Sequence, residues 1–74
     1  MTSYIPFKCD EIIWNNETRE ANIIKYSRNG AIIRKVDNVV SIKISTPVVI
    51  EKVKGGISIQ GLPTVEGYIE ISDN

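Results

Sequence analysis

The residues best able to do chemistry in this 74-residue chain lie around one short stretch, residues 25–33, which reads KYSRNGAII. Ser27 and Gly30 stand three apart between two runs of β-forming residues, and Arg28 lies between them. An arginine guanidinium can hold a phosphate or carboxylate through two parallel hydrogen bonds. The chain has two further arginines, Arg19 and Arg34. These five residues are the candidate ligand-binding residues of an anion-binding loop.

The same stretch has a purely structural interpretation as the corner of a β-hairpin. Asn29-Gly30 is among the strongest hairpin signals, because glycine supplies the positive φ that a type I turn with a bulge requires. The Ser27 hydroxyl can hydrogen bond the backbone of its own turn. Each arginine, taken alone, is as readily a solvated surface residue. Turn chemistry is therefore the simpler of the two interpretations.

Other reactive groups are scarce. The chain has no histidine and one cysteine, Cys9, which removes the commonest general base and leaves no soft metal site. We expect Cys9 to be a small buried residue. Asp10-Glu11 is the only adjacent carboxylate pair, and neighbours on a strand point to opposite faces. We therefore expect no enzymatic activity, no cofactor and no metal.

The charge balance and the hydropathy of the chain restrict the classes of partner that it is expected to bind. Nine basic and nine acidic residues, scattered along the chain, give a formal net charge of zero. This balance argues against a nucleic-acid module that binds by bulk electrostatics, and it makes self-association easier. No apolar run is long enough to cross a bilayer, and no signal-peptide pattern opens the chain. We expect a cytoplasmic protein with a protein partner, homo-oligomerisation included, and without membrane or nucleic-acid contacts.

The elements that must position these residues are β-strands. Apolar and polar residues alternate with period two through VVSIKIS, ISIQ and VEGYIEIS, which is the signature of half-buried antiparallel strands. In the first segment the pattern puts Val40, Ile42 and Ile44 on one face. In the last it puts Tyr68 on the polar face. Ile, Lys and Asn are also common in chains from AT-rich genomes, those of phages included, so the fold prediction depends on this alternation.

Turn residues separate the strands, at residues 15–18, 28–30, 37–38, 55–56 and 61–64. The segments between them predict strands near residues 5–9, 11–15, 19–27, 31–36, 39–45, 48–54, 57–61 and 65–72, some of them halves of one bent strand. No window has helical periodicity, so no long helix is expected. We predict one all-β domain over residues 1–74, a small antiparallel β-barrel of six to eight short strands joined by hairpins, since closure hides both sheet edges.

The aromatic residues divide between core and surface. A domain this small needs large apolar groups, so Phe7 and Trp14 are expected in the core. Tyrosine is enriched at binding surfaces. Tyr68, on the polar face of its strand, and Tyr4 are therefore the candidate protein-interface residues.

The stretch EANIIKYSRNGAIIR resembles the central part of PilZ domains. In that family a strand runs into an acidic or amide residue, one residue, serine, two residues and glycine, followed at once by an apolar strand. Ser27, Gly30 and the strand over residues 31–34 match this pattern. VVIEKVKGGISIQGL is similar to the family's late strand pair, so the likeness covers residues 11–62. The resemblance implies a β-barrel that binds cyclic di-GMP.

This sequence departs from the PilZ pattern at three places. Lys25 stands where the family has the acidic or amide residue, and YIPFKCDEII stands where the family has its Arg-x-x-x-Arg segment. The family's usual C-terminal helix is missing as well. Only Ser27, Arg28 and Gly30 are carried over as ligand-binding positions, so the resemblance implies a degenerate member.

Three functions are open at this point. The first is a non-enzymatic β-barrel that binds another protein, as a regulatory or phage accessory factor, with exposed strand edges available for β-augmentation. The second is a PilZ-like module that holds cyclic di-GMP with Arg28, Ser27 and either Arg19 or Arg34. The third is a barrel of the OB or SH3-like kind that binds single-stranded nucleic acid through scattered aromatic and basic residues.

Overall fold

A computed structural model describes residues 2–72 of the chain, and these residues form strands and turns without any helix. The strands are β1 (Thr2–Asn15), β2 (Glu20–Ser27), β3 (Gly30–Val36), β4 (Val39–Ile44), β5 (Val48–Val53) and β6 (Gly56–Ser72). The predicted all-β class is confirmed. No helix that could span a membrane occurs in residues 2–72.

The strands form one antiparallel sheet built around two long central strands, β1 and β6. β1 pairs with β6 along almost its whole length and with β2 over its second half, and β2 pairs with β3. The other edge of β6 is shared, because β5 pairs with its first half and β4 with its second half. The resulting strand order is β3-β2-β1-β6-β4, with β5 beside β6.

Each central strand joins two of the predicted segments. The pairing of β1 with β6 shifts between Cys9 and Glu11, where Cys9 faces Val65 and Glu11 faces Gln60. One residue of β1 is therefore opposed by the four-residue stretch 61–64 of β6, which contains the cis bond Leu62–Pro63. The predicted turn at 61–64 is thus an irregularity inside a continuous strand. This irregularity bends the sheet so that one face can enclose a core.

The core lies on the concave face of this bent sheet. Four of its most buried side chains come from the central strands, and each is at most 2% exposed: Ile12, Ile59, Val65 and Ile69. Cys9 is buried among them, as expected. Phe7 and Trp14 pack against this cluster and are only partly buried.

The alternation predicted for β4 is wrong at Val40. The pairing of β4 with β6 shifts between Val39 and Ser41, so that Val40 is the extra residue of a bulge. Val39 is 1% exposed and belongs to the core, whereas Val40 is 46% exposed. Ile42 and Ile44 pack against the core as predicted, because the bulge resets the phase of the strand before them.

Closure of the sheet into a barrel is not confirmed. The ladders of residues 2–72 follow an open path whose ends are β3 and β4. A backbone hydrogen bond from the Val39 N–H to the Arg19 carbonyl, 2.9 Å long, brings the start of β4 to the turn between β1 and β2. This contact places the start of β4 over the core without adding a ladder to β2 or β3.

Candidate functional site

The predicted anion-binding loop is the turn of the β2–β3 hairpin. Ser27 pairs with Gly30 across the hairpin, and its hydroxyl donates to the Gly30 carbonyl at 3.1 Å. Gly30 has a φ of 127°, in the region that glycine alone adopts readily. A Cβ at this position would meet no atom within 4 Å. Gly30 is therefore required by its backbone conformation, and Ser27 stabilises its own turn.

The three arginines are not brought together. Arg28 lies in the hairpin turn, whereas Arg19 lies in the β1–β2 turn at the other end of β2, with a φ of 63°. At about 3.3 Å per residue, Arg19 is about 26 Å from Ser27 along the strand. Arg34 pairs with Ile23, about 13 Å from the turn on the same rise. The backbone positions of the three arginines are therefore spread along the hairpin and are not gathered around Ser27.

Eleven consecutive residues around this turn, residues 25–35, are exposed, and we call them the arm. The ladder between β1 and β2 ends where Glu11 faces Ile24, so the hairpin has no third strand beyond that pair. The arm has four basic residues and no acidic residue, and its basic residues are Lys25, Arg28, Arg34 and Lys35. Four of the nine basic residues of the chain therefore lie on one hairpin, within eleven consecutive residues of the sequence.

The second predicted site, formed by Tyr4 and Tyr68, does come together on the convex face of the sheet. Tyr4 pairs with Glu70 and Pro6 pairs with Tyr68, so the two tyrosines occupy diagonal positions on neighbouring strands. Diagonal neighbours lie about 7–8 Å apart, within reach of aromatic rings. Both side chains are 55% exposed. The two predicted interface residues therefore form one surface.

Polar contacts order this surface. The Tyr4 hydroxyl donates to Glu70 Oε2 at 3.4 Å, and the Ser41 hydroxyl donates to Glu70 Oε1 at 2.8 Å. Lys43, which pairs with Tyr68, places its Nζ 5.9 Å from the centroid of the Tyr4 ring, within the range of a cation–π contact. We call Tyr4, Pro6, Lys43, Tyr68 and Glu70 the tyrosine surface.

A further polar cluster joins the arm to the central strands. The Tyr26 hydroxyl donates to Glu11 Oε1, and the Ser58 hydroxyl donates to Glu11 Oε2 at 2.9 Å. These two hydrogen bonds, that of Tyr26 first, lower the pKa of the Glu11 carboxyl below its usual value. The same contact with Glu11 raises the pKa of the Tyr26 hydroxyl. The backbone N–H of Tyr26 donates to Asp10 Oδ2 at 2.8 Å.

The hydrogen bonds of this cluster connect the arm to the central strands. Its carboxylate is kept charged by hydrogen bonds, and neither a concave pocket nor a set of three potential metal ligands occurs in residues 2–72. Burial raises the pKa of the Cys9 thiol, so the only cysteine of the chain is a poor nucleophile. Asp10-Glu11 and Tyr26 lie far apart in the sequence, and no local signal relates them. Only the antiparallel register of β1 and β2 brings them together.

Comparison of the chain with models of known protein families, with curated proteins and with solved structures finds no match. The PilZ resemblance stays a prediction from Ser27 and Gly30. The surfaces described above are therefore the basis for a proposal about function.

Proposed function

We propose that this protein is a non-enzymatic binding module that recognises another protein through the tyrosine surface. The observation that carries the proposal is the placement of Tyr4 and Tyr68, both 55% exposed, on one face of neighbouring strands. Tyrosine offers a large contact area for the loss of only two side-chain torsions, and it is enriched among residues that dominate binding energy.

The chemistry around the tyrosines supports a protein partner over a small ligand. The surface lies on the face of the sheet opposite the core and bears one cation, Lys43, and one anion, Glu70, so it offers both charges to a partner. Glu70 is hydrogen bonded by Tyr4 and Ser41. A surface held in place before binding loses less side-chain freedom when the partner arrives. The partner that fits is a protein face with apolar area and hydrogen-bonding groups around it.

The test is a comparison of the wild type and two variants as bait in a host-cell extract. The double variant Tyr4→Ser/Tyr68→Ser removes both rings, and Leu62→Ser removes an apolar side chain of similar exposure, 58%, outside the tyrosine surface. We expect one protein to bind the wild type and Leu62→Ser and to be lost from the double variant. Titration calorimetry with that purified protein should then show at least roughly tenfold weaker binding to the double variant.

Two results would overturn the proposal. One is a bound protein that the double variant retains at full strength although circular dichroism shows its fold intact. The other is a wild type that binds no protein in extracts of its host.

A further inference from the structure

The sheet has three strands with one unpaired edge each within residues 2–72. β3 pairs only with β2, whereas β4 and β5 pair only with β6. Two of these strands, β3 and β5, also expose isoleucines, since Ile32, Ile33 and Ile50 are 65%, 61% and 57% exposed. An unpaired edge with exposed aliphatic residues is a template for another strand.

The charges of the chain divide between the arm, which contains most of β3, and the rest of the molecule. The arm has a formal charge of +4, and the remaining residues, with five basic and nine acidic side chains, have −4. The arms of two copies therefore repel each other, whereas the arm of one copy is attracted to the body of another. The formal net charge of zero results from cancellation between these two opposite charges.

The sequences of β3 and β5 fit each other in one antiparallel register. When Arg34 of one copy lies opposite Glu51 of another, Ile32 lies opposite Val53 and Ile33 opposite Lys52. This register has one pair of opposite charges and no pair of like charges. A slip of one residue puts Arg34 opposite either Lys52 or Ile50. Cross-strand pairs of opposite charge and of aliphatic residues stabilise antiparallel sheets.

Pairing of like strands across a two-fold axis is less favourable. An axis perpendicular to the sheet and centred on a residue places that residue opposite its own copy. Centring β5 on Glu51 or on Lys52 therefore opposes like charges, and centring it on Ile50 places Glu51 opposite Val49, without any pair of opposite charges. Pairing β3 with β3 brings together two arms of charge +4.

We propose that copies of this chain associate head to tail, β3 of one copy pairing antiparallel with β5 of the next and Arg34 lying opposite Glu51. Such an interface leaves a free β3 at one end and a free β5 at the other, so copies add in a chain. The tyrosine surface contributes nothing to this contact, so failure of one proposal leaves the other unaffected.

The test measures molar mass by light scattering across a range of protein concentrations, at low and at moderate salt. We expect the mass of the wild type to rise with concentration and to fall with added salt. Arg34→Glu and Glu51→Arg each oppose like charges in the register, and each should raise the dissociation constant about tenfold. The double variant Arg34→Glu/Glu51→Arg should associate more tightly than either single variant, because it restores an opposite pair. It should associate more weakly than the wild type, because the arm falls from +4 to +2.

Arg28→Glu is the matched control, since it makes the same charge reversal on the arm outside the β3–β5 register. We expect it to weaken association less than Arg34→Glu. A wild type that stays monomeric at every concentration would overturn the proposal. So would a double variant no better than the single ones, or an Arg28→Glu variant as impaired as Arg34→Glu. Indifference to Glu51→Arg would also overturn it, in favour of pairing between two copies of β3.

Discussion

Both the central strands and the arm contain isoleucines, which are buried at several positions of the central strands and exposed to solvent in the arm. Ile12 and Ile69 on β1 and β6 are fully buried, whereas Ile32 and Ile33 in the arm are 65% and 61% exposed. Ile12 and Ile69 each lie between two paired strands, on the face of the sheet that encloses the core. The arm has two strands and no layer over either face. Position in the sheet, not residue type, decides which isoleucines form the core.

This difference in exposure distinguishes the side chains that stabilise the fold by burial from those that are available for contacts with another molecule. Burial of apolar area contributes about 25 cal/mol per Å², so a buried isoleucine of the central strands stabilises the fold more than an exposed isoleucine of the arm. A two-stranded ribbon is only marginally stable by itself. The arm therefore depends on the body for its order, while Ile32 and Ile33 remain exposed to another molecule.

The largest expected effect comes from truncating an isoleucine in each region. Ile69→Ala removes a side chain that is 0% exposed and should lower the free energy of unfolding by about 2–5 kcal/mol, through lost burial and the cavity left behind. Ile33→Ala should change it by no more than about 0.5 kcal/mol. Urea unfolding followed by the fluorescence of Trp14 measures both.

The comparison of the two regions would fail if Ile33→Ala destabilised the fold as much as Ile69→Ala. The measurement should be made at a protein concentration where light scattering shows a monomer, because association through β3 would stabilise the folded state.

A pair of glycines gives an intermediate effect with a different physical cause in each region. A Cβ at Gly67 in β6 would collide with the Lys43 carbonyl oxygen of β4, so Gly67→Ala must push two paired strands apart. We expect a loss of about 1–3 kcal/mol. At Gly30 an added Cβ would meet open space, but the backbone has a φ of 127°. Gly30→Ala should therefore cost about 1–2 kcal/mol in backbone strain.

The two glycine variants differ in what they disturb, and this difference can be measured. Amide hydrogen exchange should accelerate along β4 and β6 in Gly67→Ala but only within the arm in Gly30→Ala. Acceleration across the whole sheet in Gly30→Ala would show that the arm belongs to the cooperative core.

Much of the strand structure could be predicted from the sequence because alternation and turn residues are local signals. The segment VEGYIEIS is one example, since Ile69 is buried and Tyr68 exposed as its period of two requires. The Asn29-Gly30 turn is another, since Gly30 has the positive φ predicted for it. Tyr4 and Tyr68 were predicted separately as interface residues, but their meeting depends on the β1–β6 register.

The remaining features depend on pairings between distant residues. Val40 continues the regular alternation with Ile42 and Ile44, and nothing local to the strand signals a break. Only the bulge in the pairing with β6 turns Val40 outward and admits Val39 to the core.

The exposure of the isoleucines in the arm has the same kind of cause. Ile32 and Ile33 are exposed because the β1–β2 ladder ends where Glu11 faces Ile24, and no residue of the arm encodes that end point. A strand rich in isoleucine is predicted to be buried. Correcting that prediction requires knowing how many strands pair with it.

The smallest expected effect concerns the hydrogen bonds that tie the arm to the central strands. Tyr26 and Ser58 donate to Glu11 and lower the pKa of its carboxyl below its usual value. A carboxyl whose pKa is lower in the folded than in the unfolded protein stabilises the fold above the unfolded pKa. That contribution is lost as the pH falls through the folded pKa. Because Glu11 is only partly buried, solvent screening keeps the contribution small.

Glu11→Gln keeps the shape of the side chain and removes its charge, so it isolates this contribution. At pH 7 the variant should unfold at a slightly lower urea concentration than the wild type. The difference should shrink as the pH falls below about 4.3, the usual pKa of a glutamate in an unfolded chain. Tyr26→Phe, which removes the first of the two donors, should show the same trend. A difference that stayed constant from pH 7 to pH 3 would mean that the arm is held by Tyr26 packing and by the hydrogen bond to Asp10, and not by the charge of Glu11.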